Sequence, residues 1–152
     1  MANYYRPSAT AHTIAGNGPV SKATGTLSGT TFNLFTVAGG AVLITMFWLN
    51  VTTSITTDGG TLALETVPTT GDTLTHVTAT DLGTTDTVAG DMVGLDQGTT
   101  AASKFLRGGR VNLNAVTWTG TVKLLGASSV NGAVTANCFW VPLDVGATLV
   151  AA

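Results

Sequence analysis

Residues 32–57 read FNLFTVAGGAVLITMFWLNVTTSITT, two apolar runs parted by Ala38-Gly39-Gly40. A Gly-Gly pair reaches positive φ without steric cost, so the phrase predicts a β-hairpin with a long, greasy second strand. In that strand Ala41, Leu43, Phe47 and Leu49 point one way, and Val42, Ile44, Met46 and Trp48 the other. Successive strand side chains alternate between faces, so this strand is apolar on both. Such a strand lies either between layers of its own fold or against a partner subunit.

The rest of the chain continues in short extended pieces. A turn at Asp58-Gly59-Gly60 leads to a strand over 61–67, and PTTGD at 68–72 turns the chain again. Residues 73–80 (TLTHVTAT) alternate as a strand, and 81–100 are looser, with short strands and loops. AASKFLR at 101–107 is the one helix-tolerant piece, ended by Gly108-Gly109, and reads equally as a loop. Residues 111–118 and 121–125 form a pair of strands around Gly120. Asn131-Gly132 is a hairpin signal leading into a strand over 134–143, where Pro142 marks an edge or a strand end. The tail, 146–152, suits an edge strand. Before all this, residues 1–29 are polar, small and broken by Pro7, Gly16, Gly18, Pro19, Gly25 and Gly29. They read as an extended N-terminal arm, tied to one domain over 30–152. The expected fold is all-β: a single-domain antiparallel β-sandwich or jelly-roll-like barrel of about eight strands.

Composition strengthens this picture. Threonine supplies about one residue in five and glycine 19 more, whereas there is one Glu, one Gln and three Lys in 152 residues. β-branched and turn-forming residues are abundant and helix formers scarce. Charged residues make up only 9%, against about 25% in a typical globular chain. Either hydroxyls and amides solvate the surface, or partners cover much of it. A net charge of −2 argues against nucleic-acid binding, which needs clustered Lys and Arg. The longest apolar run, 41–49, is far short of the ~20 residues of a membrane helix. The first residues, MANYYRP, carry no basic stretch followed by an apolar one, so no secretory signal is expected and synthesis is expected to be cytoplasmic. Seven of the eight acids fall between Asp58 and Asp96, and Lys104, Arg107, Arg110 and Lys123 follow. Two such halves suit either solvated faces or charge-matched contact between subunits.

Candidate chemistry is sparse. No G-x-S-x-G elbow exists, and the two histidines, His12 in the arm and His76 mid-strand, read as bystanders. Cys138, in an apolar run, reads as a buried inert thiol. Asp81, Asp86, Asp91 and Asp96 recur five apart and offer oxygens to a hard cation, but they lack the dense spacing of a calcium loop. Asp beside Gly is chiefly a turn signature. Glu65 with some Asp is the one conceivable carboxylate pair for glycoside hydrolysis, and nothing in the pattern favours it. No phosphate-cradling glycine loop is present. No enzymatic activity and no cofactor are expected. Trp48, Trp118 and Trp140, with Phe47 and Phe139, read as core or as contact anchors.

The phrase Phe35-Thr36-Val37-Ala38-Gly39-Gly40-Ala41-Val42-Leu43-Ile44-Thr45, running on to Val51-Thr52-Thr53, resembles small structural proteins of tailed bacteriophages. Val67-Pro68-Thr69-Thr70-Gly71-Asp72 and Ala79-Thr80-Asp81-Leu82 extend the likeness over 32–100. Within that group the chain is most similar to capsid decoration proteins, also called cement or minor capsid proteins. The resemblance implies homo-oligomers, often trimers, seated on the outer capsid surface and bound to the major capsid protein. It brings no catalytic residues. On this reading Met46, Phe47 and Trp48 are the expected subunit interface, and Tyr4, Tyr5 and Arg6 the expected capsid-contact arm. The alternatives are another virion part, such as a tail or fibre module, or a host-surface or carbohydrate-binding β-domain.

Overall fold

The computed structural model describes residues 16–29, 31–56, 60–83, 87–96 and 103–152, and contains no helix among them. Tyr4, Tyr5, Arg6, His12 and Asp86 lie outside the described residues. The described residues form eleven strands: β1 (Asn17–Thr26), β2 (Thr31–Ala38), β3 (Val42–Thr53), β4 (Thr61–Pro68), β5 (Leu74–Asp81), β6 (Met92–Asp96), β7 (Lys104–Arg107), β8 (Asn112–Thr117), β9 (Gly120–Gly126), β10 (Ala133–Pro142) and β11 (Thr148–Ala151). They form two antiparallel sheets packed face to face. The six-stranded sheet runs β1-β10-β3-β6-β7, with β8 also pairing β3; the five-stranded sheet runs β11-β2-β9-β4-β5. The all-β sandwich expected from the pattern is therefore the observed fold.

Several pairings differ from expectation. Gly39-Gly40 does not make a hairpin, because β2 and β3 lie in different sheets. The same holds at Gly120, between β8 and β9, and at Asn131-Gly132, between β9 and β10. Every connection except β4–β5, β6–β7 and β7–β8 crosses from one sheet to the other. A short glycine turn serves either purpose: it returns the chain alongside itself, or steps it across the ~10 Å between packed sheets. Where both flanking strands carry a fully apolar face, crossing buries both, and the two inner faces meet. At the first crossing Gly39 and Gly40 have φ of 74° and 140°. A Cβ on Gly40 would stand 2.5 Å from the Asp144 Cβ. That close approach lets the Asp144 carboxylate accept the Ala41 amide at 2.7 Å.

Residues 104–107 form strand β7, not a helix: pairing with β6 outweighs the weak helical preference of so short a run. The expected arm also gives way in part, since residues 17–26 are β1, paired with β10 at the edge of the six-stranded sheet. Leu27, just beyond, is fully buried. The tail does form an edge strand, β11, against β2. At one side of the sandwich Ser103 bridges to Val77 of β5 and tethers the two sheets.

The core is one continuous cluster between the sheets, built on Leu34, Phe35, Ile44, Phe47, Leu49, Leu62, Leu64 and Leu124 among others. β3 supplies its longest contribution, and does so with a break in phase. Val42 and Ile44 are buried, then Phe47, Leu49 and Val51. Phe139 faces Met46 while the next residue, Trp140, faces Ile44, so Thr45 is an extra residue in β3. Its hydroxyl donates to the Phe139 carbonyl at 3.2 Å.

Candidate functional site

The Thr45 bulge decides which apolar residues of β3 face outward. Before it Leu43 points away from the core; after it Met46 and Trp48 do. Directly opposite on β10 stand Val141 (against Leu43), Phe139 (against Met46) and Asn137 (against Trp48). Val116 of β8 flanks Leu43 on the other side. The Trp48 and Phe139 rings stack at 6.0 Å with 25° between planes. Leu43, Met46, Trp48, Val116, Phe139 and Val141 thus make one apolar patch across three adjacent strands. Its rim is polar, with Ser21 donating to the Asn137 side chain at 2.7 Å and Asn112 beside Met46.

The outer face of the five-stranded sheet is built differently. Asn33, Lys123, Glu65 and Thr75 follow one another across β2, β9, β4 and β5. Thr36, Thr121 and Val67 form the next row. Leu125, Ala63 and Val150 also lie on this face, so it is mixed, whereas the other concentrates aromatics and a thioether in one patch.

Of the expected interface triplet, Met46 and Trp48 stand on this outward patch. Phe47 does not: it is wholly buried, 6.4 Å from the Phe105 ring, and cannot touch a partner. Alternation alone sets Phe47 on the face opposite to Met46 and Trp48; the bulge at Thr45 decides that its face is the inner one shared with Ile44. The two charged halves are interleaved in space. Lys123 lies directly across from Glu65, and Arg107 meets Asp91 at 3.4 Å, so acids of the first half meet bases of the second within the fold. Asp81 accepts the Gly83 amide two residues on, the bond of an Asx turn, and Asp91 reaches back to accept the Val88 amide and close its own turn. Among the described residues no group of three His, Cys, Asp or Glu side chains stands close enough to hold a metal ion.

His76 sits on β5 with a ring nitrogen 2.8 Å from the hydroxyl of buried Thr66. Burial holds its pKa below the ordinary value of 6.5. Cys138 faces the core, opposite Phe47, and burial pushes its thiol up to about 12.

Of the three tryptophans expected as core or contact anchors, one marks a second surface feature. Trp118, at the crossing from β8 to β9, is 56% exposed and stands over a groove of about 360 Å³ lined also by Gly40, Thr69, Thr70 and Thr119. The signal was present in the sequence: Trp118 is flanked by threonines, while Trp48 and Trp140 lie in apolar runs. No protein-family model matches this chain, and comparison with characterised proteins and with solved structures returns no match either.

Proposed function

We propose that this protein is a structural subunit of a bacteriophage virion that decorates the outer capsid surface as a homo-oligomer. The observation that carries the proposal is the asymmetry of the sandwich: a patch of aromatics and large aliphatics on the outer face of the six-stranded sheet, against a mixed face on the five-stranded sheet where Asn33, Lys123, Glu65 and threonines separate Leu125, Val67 and Val150. A patch of this kind, rimmed by polar groups and centred on stacked aromatics, has the anatomy of a protein contact. The scarcity of charge and the resemblance to decoration proteins point the same way. In this reading Met46 and Trp48 anchor subunit to subunit, and Tyr4, Tyr5 and Arg6 reach the major capsid protein. Each contact of about 800 Å² per partner is modest, and repetition by symmetry supplies avidity.

Sedimentation analysis and co-sedimentation with purified capsids test this directly. The expected result is a defined oligomer, a trimer on the resemblance, that pellets with capsids and whose removal lowers their resistance to heat. A stable monomer that ignores capsids would sink the proposal. Micrographs placing the protein on tail or fibres would relocate the assembly function to another part of the virion.

A further inference from the structure

We infer that the Trp118 groove is a binding site for a neutral saccharide. It lies at one end of the sandwich, where three loops meet: the β2–β3 crossing gives Gly40, the β4–β5 turn Thr69 and Thr70, and the β8–β9 crossing Trp118 and Thr119. These loops are held together before any ligand arrives. The Thr69 amide donates to the Thr119 carbonyl at 2.8 Å, and the Thr119 hydroxyl reaches the Gly40 carbonyl at 3.5 Å. Gly120 packs so closely on Val67 and Pro68 that no Cβ fits there. The indole is therefore presented on a fixed frame, and a preformed site loses little entropy on binding.

The lining selects the ligand. A pyranose has an apolar C–H face and a rim of hydroxyls. The groove offers an exposed indole face for the first and the exposed hydroxyls of Thr69, Thr70 and Thr119 for the second. Among the described residues no ionisable side chain lines it, and Asp144, the acid beside Gly40, is committed to the Ala41 amide. Charged sugars and phosphates thus find no counter-charge. At about 360 Å³ the groove sits at the small end of the ~300–1,000 Å³ range of small-molecule sites, room for one or two sugar rings. The groove shares no residue with the patch of Leu43, Met46, Trp48, Val116, Phe139 and Val141, and its lining argues for a ligand without the assembly proposal.

The test is NMR titration of the Trp118 indole N–H in the intact protein. The probes are methyl glucoside, galactoside and mannoside, N-acetylglucosamine oligomers, glucuronate as the charged control, and a proline-rich peptide. A saturable shift with at least one neutral sugar is expected, stronger than with glucuronate. In variants that lack the indole, binding is followed by calorimetry and by the backbone amide shifts of Thr69, Thr70 and Thr119: Trp118→Ala should weaken it roughly tenfold or more, the loss of one aromatic contact, and Trp118→Phe should keep most of it. Both changes fall on an exposed side chain, so unaltered circular dichroism and melting are expected. No saturable shift with any neutral sugar, or binding untouched by Trp118→Ala, overturns the inference. So does preference for the peptide, or a Trp118 shift driven by protein concentration alone, which would make the groove a self-contact.

Discussion

Phe47 and Trp48 are neighbours in sequence and point in opposite directions, which makes them a matched pair for separating fold from assembly. Phe47 is fully buried against Phe105 and Cys138. Truncation to Ala removes a complete aromatic side chain from a close-packed core and should cost about 3–5 kcal/mol. For a chain of this length that corresponds to a drop in Tm of roughly 6–20 °C. Oligomer size at a given concentration of folded protein should not change. Trp48 is half-buried, and its main described aromatic contact is the stack on Phe139. Within a lone subunit, Trp48→Ala should cost about 1 kcal/mol, the stack and a little apolar area. Across a subunit contact, a central Trp typically carries 2 kcal/mol or more, which weakens association about thirtyfold.

The measurements are sedimentation velocity across a dilution series, and unfolding followed by circular dichroism rather than by the fluorescence of the removed indole. Because an oligomer is stabilised by mass action, the melting of Trp48→Ala should lose its concentration dependence as well. Phe47→Ala should keep that dependence at a lower temperature. The reasoning fails if Trp48→Ala melts as low as Phe47→Ala with oligomer size intact. That pattern would mean the outer face is covered within the chain itself.

Three further outcomes follow from buried groups. At about pH 8 the Cys138 thiol, pushed up to about 12, should resist a disulfide reagent until urea unfolds the chain; fast labelling of the native protein would refute its burial. His76 has its folded pKa held below 6.5 while the unfolded chain keeps the ordinary value, so the unfolded state binds more protons on acidification. Stability should therefore fall as pH drops through about 6.5, and His76→Gln should flatten that part of the profile; parallel profiles would contradict it. Thr117 is fully buried, and its hydroxyl has no hydrogen-bond partner among the described residues. Thr117→Val should raise stability by about 1 kcal/mol in urea titration, and a clear loss would show that the hydroxyl is satisfied.

The strands were legible because alternation and turn chemistry are local properties. What the chain could not disclose locally was which strands pair. Gly39-Gly40 and Asn131-Gly132 carry the signature of a hairpin, yet each steps between sheets, since the same positive-φ residues serve a sharp crossing. β1 was hidden for a related reason. A polar, glycine-broken edge strand draws its order from bonds to β10 and shows little pattern of its own. The 104–107 segment was likewise decided by its partner, β6, and not by propensity. Of the site, Met46 and Trp48 were readable as contact residues, and alternation alone already set Phe47 on the opposite face; what a strictly alternating reading could not show is the change of phase by which Leu43, and not Ile44, joins Met46 and Trp48 outside.

That change of phase explains how one strand can be apolar on both faces and still hold a single register. A strand of uniform greasiness slips cheaply, because either face can turn inward. Volume supplies part of the choice here. On the inner face Trp140 lies opposite Ile44, the small Cys138 opposite Phe47, and the smaller Ala136 opposite Leu49. A slip by one would set Asn137 into the core in place of Cys138, a polar side chain without its Ser21 partner. The Thr45 bulge then fixes where the phase changes, with its hydroxyl satisfied by the Phe139 carbonyl. Leu43, Met46 and Trp48 are outward because the core has already claimed the residues between them. The outer patch is therefore not a leftover of loose packing. It stands in a register that the core and a polar rim both enforce, which is the condition under which an exposed apolar face can meet a partner in one defined geometry.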